Sequence, residues 1–227
     1  MRYKEFENIM SVHRMSRYLT ACAGNTKQAM TLYRLNLRLS QEIFTVISCF
    51  EVALRNAIDK HYLTTLGSDW LKLAAANGGI FDNHQCRFSA TSINDEIRSL
   101  GVRYAHGKLV AGLGFGFWRY MFARHQYHQA GNNALRIFPG KPRSTAQTQY
   151  NQAFVFTQLN QINGIRNRIA HHEPICFLPQ QAVKSTQYAR QHYNLILQLF
   201  QWMSIEESAI LYGLDHINQV CNDIDAL

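Results

Sequence analysis

At 227 residues the chain has room for one well-packed domain and little more. Hydrophobic residues at 47% and charged residues at 17% exclude global disorder, and no run of about 18 apolar residues offers a membrane span. The 23 Lys and Arg against 15 Asp and Glu, a formal +8, favour a polyanionic partner such as nucleic acid or an anionic membrane surface.

Hydrophobic spacing predicts helix nearly throughout. The first element expected is an amphipathic helix over residues 11–23, closed by Gly24-Asn25. Residues 26–38 form the next. A long, central helix over residues 40–66 follows, apolar on more than one face and ended by Gly67-Ser68. A short helical turn through Trp70 and Leu73 leads into a loop over residues 77–88. Helices over 92–105 and 108–128 come next. The second contains Gly112-Leu-Gly-Phe-Gly-Phe-Trp118, whose glycines are poor helix formers and suit close approach of another backbone. A phosphate cradle is the alternative use, but no preceding strand or P-loop lysine supports it. Residues 131–143 hold Pro139, Gly140 and Pro142 and read as a surface connection. Helix resumes over 144–172, where Pro174 disfavours its continuation, and again over 181–203, with two short helices to finish. The expected architecture is an all-α, single-domain bundle over residues 1–227.

The N-terminal Met-Arg-Tyr-Lys-Glu-Phe-Glu lacks the apolar centre of a signal peptide. Five scattered cysteines, never spaced C-x-x-C, read as reduced thiols, so a cytoplasmic location is expected.

Chemistry concentrates in Arg166-Asn-Arg-Ile-Ala-His-His-Glu-Pro174. Arginine neutralises a phosphate through its planar fork of donors, and histidine exchanges protons near neutral pH. A phosphate clamp beside a proton-transfer group is what metal-free cleavage of RNA requires. Asn167 with His171, and Arg168 with His172, are i, i+4 pairs. Arg166 lies about 140° from His171 round an ideal helix, so one helix does not focus the two on one phosphate. A homodimer pairing this helix antiparallel would place each histidine opposite the other copy's arginine. The looser pattern of arginine, four to six residues and then histidine is also met by Arg55–His61 and Arg119–His125, so spacing alone does not select the site. Solvated surface roles for Arg166 and Arg168, and simple helix capping by His171, remain alternatives.

At these residues the chain resembles the Abi-like (abortive infection) family of the HEPN superfamily. Arg166-Asn167-Arg-Ile-Ala-His171 matches its R-N-x-x-x-H signature, and Glu51-Val-Ala-Leu-Arg55-Asn56 its E-x-x-L-R-N segment. Leu113-Gly-Phe-Gly-Phe-Trp118 resembles its S/G-F-G-F-W element, with glycine in place of the usual serine, and Tyr33-Arg-Leu-Asn36 its L-Y-x-x-N segment. The likeness spans about residues 11–203, leaving 204–227 as a helical extension.

The resemblance implies a HEPN-type helical bundle, usually dimeric, with metal-independent endoribonuclease activity in phage defence or a toxin-like role. It implies catalytic Arg166 and His171 with Asn167 in support, Arg168 and His172 as candidates for RNA contact, and no metal or cofactor. Glu51, Arg55 and Asn56 carry a structural or bracing role, with Glu51–Arg55 a candidate ion pair. The expected partners are RNA, a second copy and an antitoxin or regulatory RNA, with no membrane. The competing function is an inactive helical module that binds RNA or regulates a partner. A metal hydrolase using His171, His172, Glu173 or the His125/His128 pair lacks a proper ligand string. A Cys176 nucleophile is weaker still.

Overall fold

The computed structural model describes all 227 residues. The protein is all-α, with twelve α-helices, two short 3-10 turns and a single isolated antiparallel bridge pairing Phe177 with Lys184. No helix is long and apolar enough to cross a membrane. In chain order the helices are α1 (Tyr3–Met10), α2 (Val12–Ala21), α3 (Thr26–Leu66), α4 (Trp70–Ala75), α5 (Arg87–Leu100) and α6 (His106–Gly112). They continue with α7 (Phe115–Tyr120), α8 (Arg124–Gln129), α9 (Gln152–Ala170), α10 (Gln187–Trp202), α11 (Glu207–Ile210) and α12 (Ile217–Asp225).

Several expected boundaries move. The two helices expected over 26–38 and 40–66 are one 41-residue helix, about 60 Å long at 1.5 Å per residue. No glycine or proline interrupts it, and the hydroxyls of Thr31, Thr45, Ser48, Thr64 and Thr65 satisfy themselves on carbonyls one turn back. Asn25, expected to close the preceding helix, instead opens this one: its side-chain oxygen accepts from the Lys27 and Gln28 amides at 3.1 Å. Gly24, at φ +84, makes the turn between the two. The single helix expected over 108–128 is three short ones, broken at Leu113-Gly114 and again at 121–123. Helix α1, not anticipated, buries Phe6 and Glu7.

The chain folds into two compact units, each assembled from separated segments. The first comprises Met1–Ser48, Gly164–Leu197 and Glu207–Leu227. Its aromatic centre stacks Tyr18 edge-on against Tyr33 and Phe177, with centroids 5.2 and 5.0 Å away. Burial drives the Tyr18 hydroxyl pKa far upward, fitting a ring that packs rather than ionises. Helix α12 presents Ile217, Val220, Cys221 and Ile224 as one buried stripe at helical spacing. Arg190 secures α12 to α10 through Asn218, Asn222 and Asp225.

The second unit comprises Cys49–Asn163 and Gln198–Glu206. Phe50, fully buried, packs edge-on against Phe200 at 5.3 Å and beside Phe115 at 6.3 Å. Trp118 donates its indole N–H to the Leu113 carbonyl at 2.8 Å, which bends the chain between α6 and α7. Asp59 accepts from Trp70 at 2.8 Å and lies 2.7 Å from the His106 ring nitrogen, while Tyr104 donates to Asp69. Burial, and after it the contact with Asp69, push the Tyr104 hydroxyl up to about 12.

Candidate functional site

Helix α9 ends in a tight capping turn made by the residues that the sequence singles out. The Arg168 carbonyl accepts from the Glu173 amide at 2.8 Å, and the Ile169 carbonyl from the His172 amide at 2.9 Å. These two bonds are the Schellman arrangement, whose left-handed residue is usually glycine. Here His172 holds that position, at φ +56. The helix thus stops at Ala170, two residues before the expected end, and lifts His171 and His172 into solvent.

Four side chains fix the turn and the chain that leaves it. Arg168 donates to the Pro174 carbonyl at 2.7 Å, places Nε 3.2 Å from the Glu173 carboxylate and lies 4.8 Å over the Tyr188 ring. The Glu173 contact is an ion pair without hydrogen-bond alignment. From α2, Arg14 donates to the His172 carbonyl at 2.7 Å. Arg17 donates to the carbonyls of Leu178 and Gln181 and lies 4.5 Å over Phe177. Buried Asn36 accepts the Ile175 amide at 2.9 Å.

Between α2 and this turn lies an open cavity of about 230 Å³. His13, Arg14 and Arg17 line one wall, and His171, His172 and Glu173 the other. Both expected histidines therefore share one solvent-reachable cleft. Arg166, Asn167 and Arg168 do not line it: Arg166 and Arg168 are half-buried and Asn167 is exposed on the last turn of α9. Arg168 is already engaged by Glu173, Pro174 and Tyr188.

Of the expected bracing residues, Arg55 is half-buried and donates to the Ala111 carbonyl at 3.3 Å, Asn56 is exposed and Glu51 is half-buried. Gly112 does permit a close approach, but of the Glu96 carboxylate rather than a backbone, while Gly114 and Gly116 face open space.

Sequence reasoning passed over His13, Arg14 and Arg17. Their spacing on α2 is a readable signal, since i and i+4 project from one helix face and i+1 lies beside it. Asn36 is a polar residue on an otherwise apolar face of α3, and that mismatch marks it.

No group of three or more His, Cys, Asp or Glu side chains is arranged to hold a metal ion. All five cysteines are free thiols. Burial pushes Cys176 up to about 12, leaving it a shielded, protonated thiol at neutral pH and a poor nucleophile.

Comparison of the chain with models of known families, with curated proteins and with solved structures finds no match.

Proposed function

We propose that the protein is a metal-independent endoribonuclease of HEPN type, cutting RNA by attack of a ribose 2′-hydroxyl in phage defence or a toxin-like role in the cytoplasm. The observation that carries this reading is the cavity beside the α9 cap, where His13 and His171 meet the arginines of α2 on a tightly bonded turn. In the reaction one imidazole takes the 2′-hydroxyl proton while the oxygen attacks phosphorus. Another imidazole protonates the departing 5′-oxygen, leaving a 2′,3′-cyclic phosphate and a 5′-hydroxyl. Positioned acid–base help of this kind contributes about 10²–10⁴-fold.

Arg166 and Asn167 enter through a homodimer. Antiparallel packing of two copies along α9 brings Arg166 of one copy toward His171 of the other, and the guanidinium stabilises charge on the pentacoordinate phosphorus. The all-α architecture and the 41-residue helix that carries Glu51, Arg55 and Asn56 support the HEPN reading.

A second reading, an inactive module that binds RNA or regulates a partner, is favoured by one observation. Arg14 and Arg17 already donate to carbonyls, which leaves fewer cations for a phosphate. Incubating wild type and His171→Ala with total RNA in EDTA separates the two. Cyclic 2′,3′-phosphate ends made by wild type and lost in a variant that still binds RNA support the enzyme. Binding without cleavage by wild type supports the module.

A further inference from the structure

The second unit contains a larger cavity, of about 520 Å³, which the catalytic reading leaves unused. We propose that it is a stacking site for an unpaired nucleobase of single-stranded RNA. The proposal rests on the reading of the protein as one that acts on RNA, and adds to it where an RNA strand is gripped.

Three observations carry it. The first is exposed aromatic surface. Phe88 is 73% exposed and Tyr120 43% exposed, yet both line one cavity with half-buried Phe117 between them. Flat apolar rings held open to water cost the folded protein burial it would otherwise gain, and they match the faces of a base.

The second is charge. Beside the cavity, though not in its lining, Arg87 lies 4.8 Å over the Phe88 ring, and Arg119, which also donates to Asn160, lies 4.4 Å over Tyr120 and 5.7 Å from Phe156. Aromatic rings interleaved with guanidinium groups suit a ligand that is flat and aromatic on one side and anionic on the other, which describes a nucleotide.

The third is a polar floor. Gln126 and Ser89 are each only 6% exposed, line the cavity and share a 3.3 Å hydrogen bond in which the Gln126 amide donates to the Ser89 hydroxyl. A mostly apolar cavity of this size with a few buried polar groups is the usual form of a ligand site. Their amide and hydroxyl offer the donors and acceptors that the edge of a base can use.

Gly116 supplies the test. It lines the cavity within α7, and a Cβ built on it meets nothing within 4 Å. Gly116→Leu therefore fills the cavity with an apolar side chain while improving helix propensity, so loss of binding does not follow from loss of fold. Phe88→Ala removes a largely exposed ring and gives an independent variant. Both are introduced into His171→Ala so that the RNA stays intact. The probe is a short single-stranded RNA carrying 2-aminopurine, whose fluorescence falls on stacking.

The expected result is quenching with His171→Ala alone, and affinity about tenfold weaker with quenching lost in each added variant. Unchanged affinity and quenching in both would overturn the stacking site, whether or not wild type cuts RNA. Quenching that both variants abolish, in a protein whose wild type leaves no cyclic phosphate ends, upholds the stacking site and removes only the nuclease. Absence of any RNA binding removes both. A change in sedimentation with unchanged RNA affinity would give the cavity to a second copy of the chain and overturn the proposal.

Discussion

The side-chain oxygen of Asn36 accepts the backbone proton of Ile175 at 2.9 Å, joining α3 to the strand of chain that leaves the α9 cap. The bond anchors α3 to the segment that follows the two exposed imidazoles. Replacing Asn36 by Ala strands a buried donor, at a cost of about 1–3 kcal/mol. The Ile175 amide should exchange with deuterium faster, and RNA cleavage should fall at temperatures where the variant is still folded. Unchanged exchange at Ile175 would show that the bond does not hold the segment.

His172 occupies a left-handed backbone position at φ +56, where a side chain is strained. Glycine relieves that strain but adds freedom to the unfolded chain, so His172→Gly should gain about 0.5–1 kcal/mol. His172→Val should lose at least as much, because a β-branched residue tolerates this region worst. Urea midpoints with a constant slope check both. If His172→Gly also keeps full cleavage, the imidazole at 172 is dispensable to the chemistry.

Arg168 is committed within the chain to Glu173, Pro174 and Tyr188. Arg168→Met should cost about 1 kcal/mol, a modest figure because the Glu173 carboxylate is largely in solvent. The dependence of RNA binding on salt should keep its slope, since no phosphate contact is lost. A slope lower by about one ion would make Arg168 a phosphate ligand after all.

His192 packs against Tyr188 with centroids 4.2 Å apart, and burial holds its pKa below the ordinary 6.5. Nearby Arg168 adds to the depression, and a hydrogen bond with the Tyr188 carbonyl partly opposes it. With the folded pKa below the unfolded one, the unfolded chain binds more protons across that interval. Stability is therefore complete above about pH 6.5 and declines as pH falls below it. His192→Gln should flatten the decline in urea midpoint between about pH 7 and about pH 5. An identical acid limb in the variant would move the effect to other groups.

His13 lines the same cavity as His171 without being near it in sequence. If the two divide the roles of acid and base, His13→Ala should lower kcat by about 10²–10⁴-fold and remove one limb of a bell-shaped pH–rate profile. Loss of KM alone, with both limbs intact, would assign His13 to binding.

Helix type and most element positions were legible because apolar spacing is a local property. In sequence the 41-residue α3 reads as two helices, since nothing in the pattern distinguishes a pause from continuation. The reading over 108–128 failed the other way. The alternating glycines are visible there, but the break is accompanied by Trp118 reaching five residues back to the Leu113 carbonyl, a side-chain bond that apolar spacing does not report. The histidines of the α9 cap stand out through the string that holds them, with Asn after Arg166, paired histidines and Pro174. Their neighbours on α2 do not, because His13 and His171 are brought to one cleft only by folding. Arg168 shows the converse, a residue of the conspicuous string whose partners turn it toward architecture.

Helix α3 runs without a break past residue 48, where the first of the first unit's segments ends. A cut at residue 48 would fall inside a continuous ladder of backbone hydrogen bonds. A chain divided there would leave amides and carbonyls at both new ends without helical partners.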